Sequence, residues 1–206
     1  IAAIYGFSIF GKDYFYILNE NNEIDYPGLE NYLNKYKKIF MFGFTHQVYE
    51  ILFKKFNFNK INNNFSNAIL LHGGGWKKME EEKIDNKLFK KKLKNKTKIS
   101  KIFNYYGMIE QTGTIFLECE KCGCFKTSIF SDVFIRDAKL NISSPNKKGL
   151  IQLLSLLPHS YPGHNILTED IGEIVDGNDC ECTKSGKRFK VHGRAPESEI
   201  RGCSDI

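Results

Sequence analysis

The sequence contains no apolar run long enough to cross a bilayer as a helix, and no stretch with the basic, apolar and cleavage regions of a secretory signal. A membrane-spanning helix is therefore not expected. The GxxxxGK(S/T) spacing is also absent, so the glycine triplet in HGGGWKK is not a phosphate loop of that kind. The densest basic run, residues 87–98 (KLFKKKLKNKTK), lacks arginine and holds a single aromatic, Phe89. It reads as a solvated helix face rather than a nucleic-acid surface. No internal repeat and no long linker interrupts the chain.

What is present fits a folded protein. The 206 residues suffice for one large domain or two small ones, and 41% hydrophobic with 14% aromatic content supports a packed core rather than disorder. The surplus of Phe, Ile, Lys and Asn is the mark of an A+T-rich coding sequence, so single lysines carry little functional information. A net charge of +6 suits anionic ligands as well as polyanions. The six cysteines are clustered, which points to metal or thiol chemistry in the cytoplasm rather than to a secreted disulfide scaffold.

Two textures divide the chain. In residues 1–113, a buried strand at 38–44 (KIFMFGF) precedes a helix from Thr45, which serves as its expected N-cap. A second strand at 68–72 (AILLH) ends in a glycine triplet. A charged helical stretch then leads to a third strand near 102–106. Alternating strands and helices predict an α/β unit with a parallel sheet and covering helices, in which ligands sit beyond the carboxyl ends of the strands. From 114 to 206 there are only short candidate strands: TIFLEC, CFKTSIF, DVFIRD, GLIQLLSLL, NILTEDIGEI and KRFKVHG. Glycine, proline and asparagine separate them, which predicts an antiparallel sheet or small barrel-like subdomain. The chain opens at Ile1 inside structured-looking sequence, and the expectation is the carboxy-terminal part of a longer protein.

Several stretches hold chemistry-bearing residues. Gly73, Gly74 and Gly75 could let backbone N–H groups approach a ligand, or form a plain turn. In YYGMIEQTG, Tyr106 could stack on a base, Gly107 would admit the ligand and Glu110 could bind Mg²⁺ through hard oxygens; a strand-terminal turn with a solvated acid is the competing reading. In LTEDIGEI, strict alternation lets only one of Glu169 and Asp170 face a cleft, where a carboxylate could accept both hydroxyls of a ribose. Arg194 follows a strand and could meet ribose or phosphate oxygens. Cys119, Cys122 and Cys124 form one knuckle and Cys180 with Cys182 another; four thiolates from the two would make a closed zinc site, with Cys122 and Cys124 as alternatives. Cys203 stands apart in RGCSDI, as an idle thiol or as a nucleophile. His46, His72, His159 and His164 show no triad or metal spacing and read as structural.

HGGGWKKM, YYGMIEQTG, FSDVFIRD, GLIQLLSLLPHSYPGHNILTEDIGEI, KVHGR and RGCSD together resemble the LuxE-type acyl-protein synthetases, relatives of the phenylacetate–CoA ligases in the adenylate-forming superfamily. The resemblance implies the carboxy-terminal part of the large domain of an adenylate-forming enzyme. It implies ATP-dependent activation of a fatty or other carboxylic acid as acyl-adenylate, and transfer of the acyl group to a thiol. Gly73–Trp76 would border adenine, Tyr106 with Gly107 and Met108 would pack on it, and Glu110 would bind Mg²⁺. Asp170 would hold the ribose, Arg194 the ribose–phosphate side, and Cys203 would carry the acyl group. The resemblance also implies an acyl-accepting protein such as a reductase, and zinc through cysteines placed like 119, 180 and 182. Two departures stand out. Ile109 occupies a position usually held by a phosphate-binding threonine, so Thr112 or a backbone donor would substitute. The Ser/Thr/Gly-rich phosphate loop of these enzymes has no counterpart in residues 1–206. The competing functional readings are a non-catalytic binding module and an aryl- or acyl-CoA ligase. The nucleotide reading requires Tyr106, Glu110, Asp170 and Arg194 to converge.

Overall fold

The computed structural model describes residues 6, 11, 13–159, 161–176, 180 and 185–196. Cys182 and Cys203 lie outside this set. The chain divides into two compact units, Ile1–Asn104 and Tyr105–Ile206. The division falls inside a strand, so YYGMIEQTG belongs with the β-rich half.

In the first unit, helix α1 (Tyr26–Lys35) starts at Asp25, whose side chain accepts from the Gly28 N–H, and buries Leu29 and Leu33. Strands β1 (Ile39–Phe44) and β2 (Ala68–Gly73) pair in parallel, from Ile39 opposite Ala68 to Phe44 opposite Gly73. Helix α2 (Thr45–Val48) leaves β1 and continues as a wider π-wound segment, Tyr49–Lys55. Here the expected cap is corrected. Phe44 holds the cap position without a side-chain bond, and the Thr45 hydroxyl instead reaches the Gly73 carbonyl at 3.1 Å and His72 Nδ1 at 3.0 Å. The basic run becomes helix α3 (Asn86–Thr97), capped by Asp85 and burying Phe89, Leu93 and Thr97, with Lys92 and Lys96 lying over the Phe53 ring. Strand β3 (Lys101–Tyr106) follows β2 in the sheet order. Core residues include Phe65, Leu70, Phe89, Leu93 and Ile99.

The second unit is antiparallel. Strand β4 (Phe116–Leu117) pairs with the last two residues of β3. Strands β5 (Phe125–Lys126), β6 (Ser131–Arg136), β7 (Gly149–Ser155), β8 (Asn165–Ile174) and β9 (Arg188–Arg194) form a five-stranded sheet in the order β5-β9-β8-β7-β6. Alternation along β6 and β7 sends Val133, Ile135, Ile151 and Leu153 inward, where they meet Phe116, Phe125 and Phe189. All six short strands expected from the sequence form. No helix among the described residues is long and apolar enough to cross a membrane.

Candidate functional site

Strand β8 carries the feature on which the site depends. Its pairing with β7 matches Leu150 to Ile171 and Gln152 to Leu167, so Thr168, Glu169 and Asp170 stand opposite Ile151 alone. Two extra residues bend the strand at this point, as bulges do where a side chain must be re-aimed. Thr168 locks the bend: its hydroxyl donates to the Ile151 carbonyl at 2.9 Å and accepts from the Asp170 N–H at 3.1 Å. A hydroxyl bonded to the N–H two residues on is a local turn motif that competes with ladder pairing.

The bend sets Asp170 against the end of β3. The Tyr106 hydroxyl donates to Asp170 Oδ2 at 2.6 Å, a charge-assisted length. Burial, then the Asp170 charge and this hydrogen bond, push the Tyr106 phenol well above its ordinary range, so it remains a protonated donor. The Tyr106 ring is walled by Phe116, Phe125 and Phe189, with centroids 6.0–6.2 Å away. Across β9, Arg194 is the Cα partner of Asp170, and its guanidinium contacts Glu169 at 2.6 Å. Both members of that pair are well exposed, so it orients the arginine more than it stabilises the fold. Glu169 and Asp170 thus take separate partners on one bend, where strict alternation allowed only one to face a cleft.

Tyr106, Asp170 and Arg194 are therefore brought together within the second unit. Glu110 lies on the short 3₁₀ turn Ile109–Gln111, with an exposed side chain. An exposed carboxylate is the hard oxygen donor that Mg²⁺ takes alongside phosphate oxygens. Met108 precedes this turn and packs on the second core, while Gly107 lies close to the Thr114 carbonyl. Thr112, the candidate substitute for the missing threonine, donates its hydroxyl to the Ile109 carbonyl at 2.9 Å. Of the glycine triplet, in the first unit, Gly74 has φ +75°, a left-handed conformation that favours glycine. Trp76 is 7% exposed and packs edge-on against Tyr49 and Phe89, so its indole is a core element of that unit.

A second cluster involves thiols. Cys119, Cys122 and Cys180 place their sulfurs within 4.8 Å of one another, and Cys119 and Cys180 are 3.6 Å apart. Sulfurs around a tetrahedral zinc stand about 3.8 Å apart, from a Zn–S length of about 2.3 Å, so this donor set fits zinc. The structure selects between the two alternatives: Cys122 joins the cluster, whereas Cys124 is buried and directs its thiol to the Cys122 carbonyl. Burial raises the Cys122 thiol above its usual range, an effect that a bound dication would reverse. Sequence reasoning missed Thr168 and the bulge; the one available signal was a hydroxyl residue two positions before an acid.

Comparison with known proteins points one way. The profile of a family described as "Acyl-protein synthetase, LuxE" matches residues 6–206. No curated protein matches the chain. Among solved structures, the chain is similar to a 2-hydroxyisobutyryl-CoA ligase bound to 2-HIB-AMP and CoA (TM-score 0.62, 14% identity, 81% of this chain and 36% of that one). It is also similar to the luciferase-like enzyme of the nonluminescent Zophobas morio mealworm (0.57, 18%, 84% and 42%) and to fatty acyl-adenylate ligases from E. coli and L. pneumophila (0.57, 11%, 80% and 36%). The chain thus spans less than half of each of these enzymes.

Proposed function

Because this chain belongs to the LuxE family of acyl-protein synthetases, we propose that it serves the ATP-dependent activation of a fatty or other carboxylic acid, followed by acyl transfer to Cys203. The observation that carries this reading is the Tyr106–Asp170 bond on the bulged strand, with Arg194 opposite. Asp170 is held by one oxygen, which leaves the other to accept from ribose hydroxyls. Arg194 stands beside it for phosphate oxygens.

In the proposed reaction the substrate carboxylate attacks the α-phosphorus of ATP; a P–O bond forms, the bond to the β-phosphate breaks, and pyrophosphate leaves. The Cys203 thiolate then attacks the acyl carbon, and AMP departs with the electron pair of the broken C–O bond. The protein's part is positioning and charge stabilisation more than proton shuttling. Glu110 would hold the magnesium ion that neutralises charge on the phosphates. Cys119, Cys122 and Cys180, with Cys182, would hold a structural zinc. A cytoplasmic acyl-accepting protein, such as a reductase, would take the group from Cys203.

The test is acid-dependent ATP–pyrophosphate exchange by the full-length protein. Glu110→Gln is expected to lower it about 100-fold. Cys203→Ser is expected to keep exchange while the acyl adduct disappears from the intact mass spectrum. An adduct that persists in Cys203→Ser, or acyl-CoA as the product, would replace this reading with that of a CoA ligase. Absence of exchange in the wild type would favour a binding module.

A further inference from the structure

Glu110 is followed by a glutamine whose side chain is 1% exposed. Gln111 Nε2 donates to the Leu153 carbonyl in β7 at 3.2 Å and to the Gly163 carbonyl, in the loop entering β8, at 2.8 Å. The Gln111 N–H closes its own turn on the Met108 carbonyl at 3.1 Å. A single side chain therefore ties three backbone segments together directly behind Glu110. The tie at residue 163 admits only glycine: a β-carbon there would stand 1.9 Å from the Glu110 carbonyl oxygen. Four residues past Glu110, Thr114 and Ser155 join their hydroxyls at 2.5 Å and fix the exit of the motif to the same strand end. Gln111 Oε1 meanwhile has no hydrogen-bond partner among the described residues. An apolar side chain would fill this place without a stranded acceptor, so the amide is explained by what its two N–H groups hold and not by packing.

We propose that Gln111 is a positioning residue, which fixes the backbone of Glu110 and thereby aims its carboxylate at the metal. The proposal rests on the metal role given to Glu110 above. Gln111 touches neither nucleotide nor metal, and acts through the turn that it anchors.

Gln111→Met keeps the side-chain length while removing both donors and the stranded acceptor; Gln111→Asn keeps the amide but retracts it by one methylene, beyond reach of both carbonyls. Whichever variant folds, as judged by its thermal transition, is compared with wild type in the full-length protein by two measurements. The Mg²⁺ concentration that half-saturates ATP–pyrophosphate exchange is expected to rise about tenfold or more, the usual effect of losing a group behind a metal ligand, with KM for the acid unchanged. Amide hydrogen exchange across residues 109–114 is expected to quicken while that of β6 stays as in wild type. A folded variant with wild-type exchange at 109–114 overturns the proposal, whatever the enzyme assay gives. If Glu110→Gln leaves the Mg²⁺ requirement unchanged, the metal reading itself falls, and faster amide exchange at 109–114 in the Gln111 variants then still supports anchoring of the turn.

Discussion

Removing one oxygen atom from Tyr106 tests the geometry of the site. Tyr106→Phe leaves the ring among Phe116, Phe125 and Phe189 and deletes only the hydroxyl that donates to Asp170. A hydrogen bond to an ionised partner contributes about 1.5–3 kcal/mol, and Asp170 is half-buried, so water replaces the lost donor only in part. A destabilisation of about 2 kcal/mol is expected, which for a chain of this size lowers Tm by roughly 4–8 °C. The decisive measurement is a double-mutant cycle of Tyr106→Phe, Asp170→Ala and the pair, read by urea unfolding followed with far-ultraviolet circular dichroism. The coupling should reach about 1–2 kcal/mol, since the two groups share one bond and few other partners. Coupling below about 0.5 kcal/mol would mean that the bulge does not deliver Asp170 to Tyr106, and the nucleotide reading would lose its geometric basis.

Two further outcomes concern His72 and the thiol cluster. His72 is 1% exposed, and burial, with the Lys90 charge second, lowers its pKa from 6.5 to about 3. The unfolded chain therefore binds a proton that the folded chain refuses between these values; the stability is present in full above pH 6.5 and lost as pH falls toward 3. His72→Gln should remove about 1.4 kcal/mol per pH unit from the acid slope of stability, checked by urea midpoints from pH 7 to 4; identical slopes would refute the assignment. For the thiols, Cys122→Ser should abolish zinc retention in elemental analysis, whereas Cys124→Ser should keep the metal and lower Tm. Metal retained in Cys122→Ser and lost in Cys124→Ser would reverse the ligand assignment.

Much of the architecture was legible because burial imposes a period. Residues 38–44, 68–72 and 102–106 read as strands from apolar runs, and the basic run read as a solvated helix face, which the structure completes by burying Phe89 and Leu93 at helical spacing. Turn residues marked every break in the second unit. Four matters escaped. Thr45 looked like a helix cap, but a hydroxyl bonds whichever acceptor the fold supplies, and β2 supplied Gly73 and His72. Trp76 follows a glycine triplet that suggested a ligand border, yet its indole fills the core beside Tyr49. The bulge at 168–170 leaves no periodic trace, because the residues on either side of it keep the same alternation. Choosing Cys122 over Cys124 likewise required coordinates, since both positions satisfy knuckle spacing.

The surplus in β8 is two residues, an even number, and this has a consequence for how the chain can vary in length. Ile166 before the bend pairs with the buried Leu153 and Gly172 beyond it is itself buried, so the strand leaves the distortion with its two sides unexchanged. Taking out a pair here would straighten the strand and spare the hydrophobic interior while discarding the acid; taking out one would turn Ile171–Ile174 inside out. The sheet and the carboxylate are thus coupled by parity: the interior tolerates change at this point only in doublets, and the acid tolerates none.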